Sequence, residues 1–152
     1  MKIVLMLLNK KLKKMTKRLY PALDDFTFQH PLKTRWRDLD AFRHVNNATF
    51  LSYIEDARVL FFKRWGINLK EKSLIVASVK IDYINQLEHP SDIIVGQKVA
   101  RLGSKSFDIE SAIFIKKNLQ IVCHSIVTSV CYDFLNKKTV ELFDEIKNDY
   151  QK

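Results

Sequence analysis

The apolar residues of this chain change their spacing once, and that change limits the folds open to it. Across 48–65, Phe50, Tyr53, Ile54, Ala57, Leu60, Phe61 and Arg64 recur at i, i+3, i+4 and i+7, the spacing that puts residues on one face of an α-helix. Asn46 or Asn47 can cap that helix with a short side-chain oxygen, and Gly66 can end it. Leu51, Glu55, Arg58 and Phe62 form a second stripe, so the helix is expected to be wrapped rather than laid on a surface. From Ile75 the period becomes two. Ile75, Ala77, Val79, Ile81 and Tyr83 alternate with polar Ser78, Lys80 and Asp82, which is the pattern of a half-buried strand.

More strands follow. Ile93, Val95 and Val99 mark one over 92–102. Gly103 and Ser104 supply a hairpin turn, and Phe107, Ile109, Ile113 and Ile115 mark the next strand, with Asp108 and Glu110 facing out. A turn at Lys117 and Asn118 leads into a long apolar strand over 119–134, expected to be buried on both faces, and 141–150 reads as a short terminal helix. Before the long helix, 26–37 reads as a strand in which Phe26, Phe28, Leu32 and Trp36 share parity, with Pro31 suggesting an edge or a bulge. One strand, a long helix and then four strands joined by short turns make an α+β domain, with one antiparallel sheet against one helix.

The 152 residues carry 26 Lys and Arg against 17 Asp and Glu, a formal charge of +9, which invites a nucleic-acid reading. The position of the charge argues against it. Lys2, Lys10, Lys11, Lys13, Lys14, Lys17 and Arg18 lie in the first 18 residues with no acid among them, so the rest of the chain stands at +2. A nucleic-acid-binding domain carries its charge on the folded face that binds. Residues 1–24 are expected to be a flexible basic extension, and 25–152 the domain. The extension has its apolar run (3–8) ahead of most of its charge, the reverse of a secretory signal. Membrane contact through it is not expected, and the domain is expected to be cytoplasmic. Cys123 and Cys131 sit eight apart in one strand, too far for a disulfide.

Several chemistries are excluded by spacing. Glycine occurs only at Gly66, Gly96 and Gly103, so neither glycine-rich phosphate loop can exist, and His30, His44, His89 and His124 form no zinc-hydrolase pair. The chemistry is concentrated in 35–47, Arg-Trp-Arg-Asp-Leu-Asp-Ala-Phe-Arg-His-Val-Asn-Asn. This segment ends a strand and opens the helix, where unpaired N–H groups and the positive dipole end point outward. A carboxylate beside such an end is suited to attack on a carbonyl. Asp38 and Asp40 can equally cap the turn and pair with Arg35, Arg37 or Arg43.

This segment, continued by Phe50-Leu51-Ser52-Tyr53-Ile54-Glu55-Asp56-Ala57-Arg58, resembles the hotdog-fold acyl-CoA thioesterases of the 4-hydroxybenzoyl-CoA thioesterase-like group. Their pattern runs roughly R-[WY]-x-D-x-D-x-x-G-H-V-N-N-x-x-Y-[LF]-x-Y-x-E-x-A-R. The resemblance covers about 28–135. It implies a single hotdog domain, a curved antiparallel sheet wrapped around one long helix. It also implies a homodimer joined sheet edge to sheet edge, often a tetramer as a dimer of dimers, with no metal and no cofactor. By the same resemblance Asp40 is the catalytic carboxylate, as nucleophile or general base. The backbone N–H of Asn47 or its neighbours polarises the thioester carbonyl, His44 and Asn46 organise the site, and Glu55 is a secondary carboxylate. Three positions depart from the pattern: Arg43 stands where glycine is usual, Phe50 where tyrosine is, and Gln86 where proline often sits.

The expected function is hydrolysis of an acyl-CoA to free acid and coenzyme A. An acyl carrier protein thioesterase and a non-catalytic acyl-thioester-binding protein are the alternatives.

Overall fold

The structure, a computed structural model, describes residues 18–67 and 72–150. Its strands are β1 (Phe28–Lys33), β2 (Ser73–Tyr83), β3 (Asp92–Leu102), β4 (Ser106–Ile115), β5 (Ile121–Asp133) and β6 (Lys138–Thr139); its helices are α1 (Asn47–Lys63) and α2 (Asp144–Asp149). The strands form one antiparallel sheet in the order β1-β3-β4-β5-β2, with β6 paired to the end of β5. The sheet curls around α1, giving the α+β architecture expected from the spacing change at Gly66 and the hotdog arrangement that the resemblance implies.

Why α1 stops where it does is local chemistry. Asn46 caps its start, with Oδ1 accepting from the Ala48 N–H at 2.9 Å, which satisfies one of the free donors of the first turn. Gly66, with φ of +62°, takes the left-handed backbone just beyond the last turn, a conformation that costs glycine little. Phe50, Tyr53, Ile54, Ala57 and Phe61 are buried against the sheet, where Ile93, Val95, Ile109, Ile113 and Val127 meet them. Fully buried side chains of this size each contribute about 1.5–3 kcal/mol by leaving water. Cys123 and Cys131 lie on this same inner face as free thiols, and burial pushes the Cys123 thiol up to about 12.

The structure corrects the sequence reading at several points. The first strand is shorter than 26–37, because the Asp38 carboxylate accepts from both the backbone and the side chain of Arg35 and closes a 3-10 turn at Trp36–Asp38. Pro31 is tolerated because β1 is an edge strand. The alternation in β2 is broken by a bulge between Val76 and Ser78, which leaves Ala77 without a partner on β5. One unpaired residue swaps the parity of everything before it. Leu74 and Val76 therefore share a face with Val79 and Ile81, and Ile75 faces away. The helix is not fully wrapped within one chain: Leu51 and Val59 remain exposed on its outer side. In β5 the buried residues alternate with half-buried ones, so its two faces are not equally covered. The short strand β6 had no signal in the sequence.

Most of the expected flexible extension, 1–17, falls outside the described residues. From Arg18 onward, part of it packs on the domain. The Tyr20 ring lies 5.5 Å from that of His124, and Leu23 is buried with Phe26, Ala112 and Phe114 on the face of the sheet opposite α1. Gly96 makes room for this: a Cβ there would come within 2.6 Å of the Phe26 ring. The contact is at the root of the ring, so the side chain cannot swing aside cheaply. Gly96→Ala is expected to destabilise the fold by about 1–3 kcal/mol, the usual cost of overpacking, read as a lower midpoint in thermal or urea unfolding. An unchanged midpoint would show that Phe26 does not press on the sheet.

Candidate active site

Residues 38–46 form a small hairpin between the 3-10 turn and α1. Leu39 and Val45 pair as an antiparallel bridge. The Asp40 N–H donates to the His44 carbonyl at 2.8 Å, and the Asn46 N–H donates to the Asp38 carbonyl at 2.8 Å. At the tip, Asp40 turns its own side chain inward. Its Oδ1 accepts from the Phe42 N–H at 2.8 Å and the His44 N–H at 3.2 Å, a local side-chain turn of the kind Asp favours. Arg43, where the resembling family has glycine, takes the left-handed backbone with φ of 65°. A side chain there carries a steric cost of about 1–3 kcal/mol that glycine avoids.

The tip of this hairpin and the first turn of α1 share one cleft of about 490 Å³. Asp40, His44 and Asn47 line it, and Val45, Phe50 and Leu87 give it an apolar wall. Across it runs the segment after β2, held to the hairpin by the Val45 N–H donating to the Leu87 carbonyl at 2.8 Å and by a bridge between His44 and Glu88. The Tyr83 hydroxyl donates to the Asn47 carbonyl at 3.0 Å, and its ring meets Phe50 edge-on at 5.5 Å. Asn47 is the first residue of α1, so its N–H has no carbonyl one turn earlier within the helix to bond to. No acidic residue sits in that first turn, and the positive end of the helix dipole is not offset from within the helix.

Four of the five expected site residues are brought together. Asp40, His44 and Asn47 line the cleft, and Asn46 caps the helix beside it. Glu55 does not line this cleft. It lies on the exposed side of α1, 3.5 Å from the largely buried Arg58 guanidinium, the i, i+3 pairing that helix geometry favours. The pairing of Asp38 with Arg35 is among those the sequence offered, but one partnership went unmarked there. Tyr53 reads there as one more apolar position on the helix stripe, yet its hydroxyl donates a short hydrogen bond to Asp38 Oδ2. Asp38 reads as a turn cap, yet it is only 4% exposed. A D-x-D followed at helical spacing by an inward tyrosine is the signal that could have found the pair.

Asp38 is charged despite its burial. Burial pushes its carboxyl up, but hydrogen bonds from Tyr53 and from both the side chain and the backbone of Arg35 outweigh it and hold the group below the usual carboxylate range. Burial and the same hydrogen bond push the Tyr53 hydroxyl up, so it stays a donor. A carboxyl group lowered in the folded state stabilises the fold above its unfolded value of about 3.9, and that stability is lost as pH falls through the folded value. The melting temperature should therefore fall on acidification below about pH 4, and Asp38→Asn should be less stable at pH 7 but show a smaller acid-induced fall. An unchanged acid slope in Asp38→Asn would assign the acid sensitivity to other carboxylates.

Comparison with known proteins places this arrangement. The Thioesterase-like superfamily matches residues 34–149. The long-chain acyl-CoA thioesterase FadM of Escherichia coli is 25% identical over 124 residues, covering 78% of this chain and 93% of that protein. Among solved structures, the PA5185 protein of Pseudomonas aeruginosa superposes with a TM-score of 0.76 at 26% identity, covering 85% of this chain and 92% of its own. A thioesterase of Thermus thermophilus, solved with coenzyme A and zinc, superposes with a TM-score of 0.72 at 27% identity, covering 82% and 97%. The family match runs from just after β1 to the last helix and so takes in α1, strands β2 to β6 and the cleft together: the chain belongs to the Thioesterase-like superfamily, as a thioester hydrolase built on the hotdog fold.

Proposed function

We propose that this protein hydrolyses acyl-CoA thioesters in the cleft between the Asp40 hairpin and the start of α1. The observation that carries this reading is the meeting, in one partly apolar cleft, of a carboxylate and the first residue of α1, whose N–H has no carbonyl partner within the helix. The named activity of FadM and the coenzyme A bound to the Thermus thermophilus thioesterase support the substrate class. Oδ1 of Asp40 is engaged by two backbone N–H groups, which leaves Oδ2 as the reactive oxygen. That oxygen either takes a proton from water as the water attacks the carbonyl carbon, or attacks the carbon itself and forms an anhydride that water then opens. In both cases a C–O bond forms, the C–S bond breaks and coenzyme A leaves as a thiolate, a good leaving group that takes up a proton afterwards. The Asn47 N–H donates to the carbonyl oxygen as negative charge builds on it. His44 and Asn46 hold the hairpin and the helix start rather than carry protons. No metal or cofactor enters these steps.

Asp40→Asn should lower kcat by about 100-fold or more, measured by free-thiol release over a panel of acyl-CoA chain lengths. Wild-type rates no higher than those of the variant across the panel would overturn the reading. Activity on acyl carrier protein thioesters with none on acyl-CoA would favour the carrier protein instead. Single-turnover hydrolysis in ¹⁸O water tests the anhydride route: label in the aspartate, left when water opens the anhydride at the aspartyl carbonyl, comes from that route alone.

The working unit we propose is a homodimer. β2 is a sheet edge with Val76 and Val79 exposed at 39% and 43%, and Leu51 and Val59 are exposed on α1. An unpaired edge with apolar side chains is suited to pairing with a second copy. Light scattering coupled to size exclusion should give twice the chain mass. Val79→Lys should shift it toward monomer, and a monomeric wild type would overturn the assignment.

A further inference from the structure

We infer that Asp38 and Tyr53 are positioning residues for Asp40, acting by anchoring the base of the hairpin whose tip carries it. The inference adds two residues to the proposed reaction, and its catalytic arm rests on that reading. The hairpin is closed at its base by a single backbone contact, the Asn46 N–H to the Asp38 carbonyl at 2.8 Å. The first strand of the hairpin therefore depends on where Asp38 sits, while the second is held as well by the Val45 N–H on the Leu87 carbonyl and by its continuation into α1. Asp38 in turn is held by its side chain: Oδ2 accepts from the Tyr53 hydroxyl and from the Arg35 N–H at 2.8 Å, and the Arg35 Nε lies 3.1 Å from both oxygens.

Tyr53 is 1% exposed in the second turn of α1, packed in the main core. The hydrogen bond thus joins the hairpin base to a helix packed in the main core. Arg35 cannot provide that link, because it lies on the same local segment as Asp38 and its side chain is 45% exposed. Without the Tyr53 hydroxyl, the Asp38 strand of the hairpin loses its side-chain tie to α1, and the bonds within the hairpin, those from the Phe42 and His44 amides to Asp40 included, open more often. The relative placement of Asp40 and the Asn47 N–H then loosens, and small errors of that kind are costly in rate.

Three properties of this arrangement separate positioning from bulk stability. The effect should concentrate at the hairpin tip, it should reach kcat more than KM, and it should vanish when Asp40 is already gone. Amide hydrogen exchange by NMR reads the first. In Tyr53→Phe the Phe42 and His44 amides, which donate to Asp40 Oδ1, should exchange at least tenfold faster. Amides of β3 and β4 should keep wild-type protection. Asp38→Asn keeps an acceptor for the Tyr53 hydroxyl and should give a smaller acceleration at the same two amides; should Tyr53→Phe fail to fold, this variant decides. Kinetics read the other two properties. Tyr53→Phe should lower kcat about tenfold with KM within twofold, and should lower it no further in the Asp40→Ala background.

Wild-type exchange at Phe42 and His44, or acceleration spread equally over the sheet, would overturn the inference whatever the activity. A full Tyr53→Phe effect in the Asp40→Ala background would do so as well. Wild-type activity no higher than that of Asp40→Ala would instead overturn the proposed reaction, and the exchange measurement would still decide the anchoring role.

Discussion

The packing of α1 into the curled sheet is the constraint on which the rest of this structure depends. Phe50, Tyr53, Ile54, Ala57 and Phe61 are removed from water together, and the sheet curls to accommodate one helix. Gln97 shows how tight the junction is. It is fully buried on β3, and its Nε2 donates to the Ile54 carbonyl at 3.1 Å and to Ser111 Oγ at 3.0 Å. A side-chain donor reaching a helix carbonyl from the sheet fixes helix height as well as register. Because the helix cannot slide, its N-terminus presents Asn47 at a fixed place on the sheet rim.

The cleft is a consequence of that placement. The hairpin carrying Asp40 is short enough to be shaped by its own polar groups, and its Oδ1 shapes the turn that holds it. The carboxylate is therefore both a structural cap and the candidate reactive group. The two roles use different oxygens, so they do not compete. Asp38, two residues earlier, is buried and accepts from the Tyr53 hydroxyl and from the backbone and side chain of Arg35. The two aspartates of one short motif thus carry separate functions because one points toward the helix body and the other toward the cleft.

Much of this was legible in the residues. The change of period near Gly66 indicated the helix-then-strands order. A cap at Asn46 or Asn47 followed from side-chain chemistry that acts over two or three residues, and Asn46 is the one that caps. Pro31 indicated an edge or a bulge, and β1 is an edge. Asp40, His44, Asn46 and Asn47 were legible as a cluster because they are close along the chain. What was not legible involves distance along the chain or a break in local rule. The bulge at Ala77 has no marker such as glycine, so strict alternation in β2 looked intact. The opposing wall of the cleft, from Tyr83 to Leu87, lies some forty residues away from Asp40 in sequence. Tyr53 looked like a core aromatic, since spacing shows which face a side chain is on and not what its polar atom meets there.

The basic charge was the other visible feature, and it resolves by position: most of the +9 belongs to the first 18 residues, not to the folded body. By itself the sequence determined the local things: the helix and its ends, most of the strands, the turn chemistry and the polar cluster at 35–47. These follow from forces that act within a few residues, namely backbone hydrogen bonding, side-chain capping and apolar periodicity. Only the tertiary structure decided which aspartate is buried and which faces the cleft, that Tyr53 ties the hairpin to the helix, and that Glu55 sits away from Asp40. Those outcomes depend on what each side chain meets across the fold, where burial and long-range hydrogen bonds outweigh local preference.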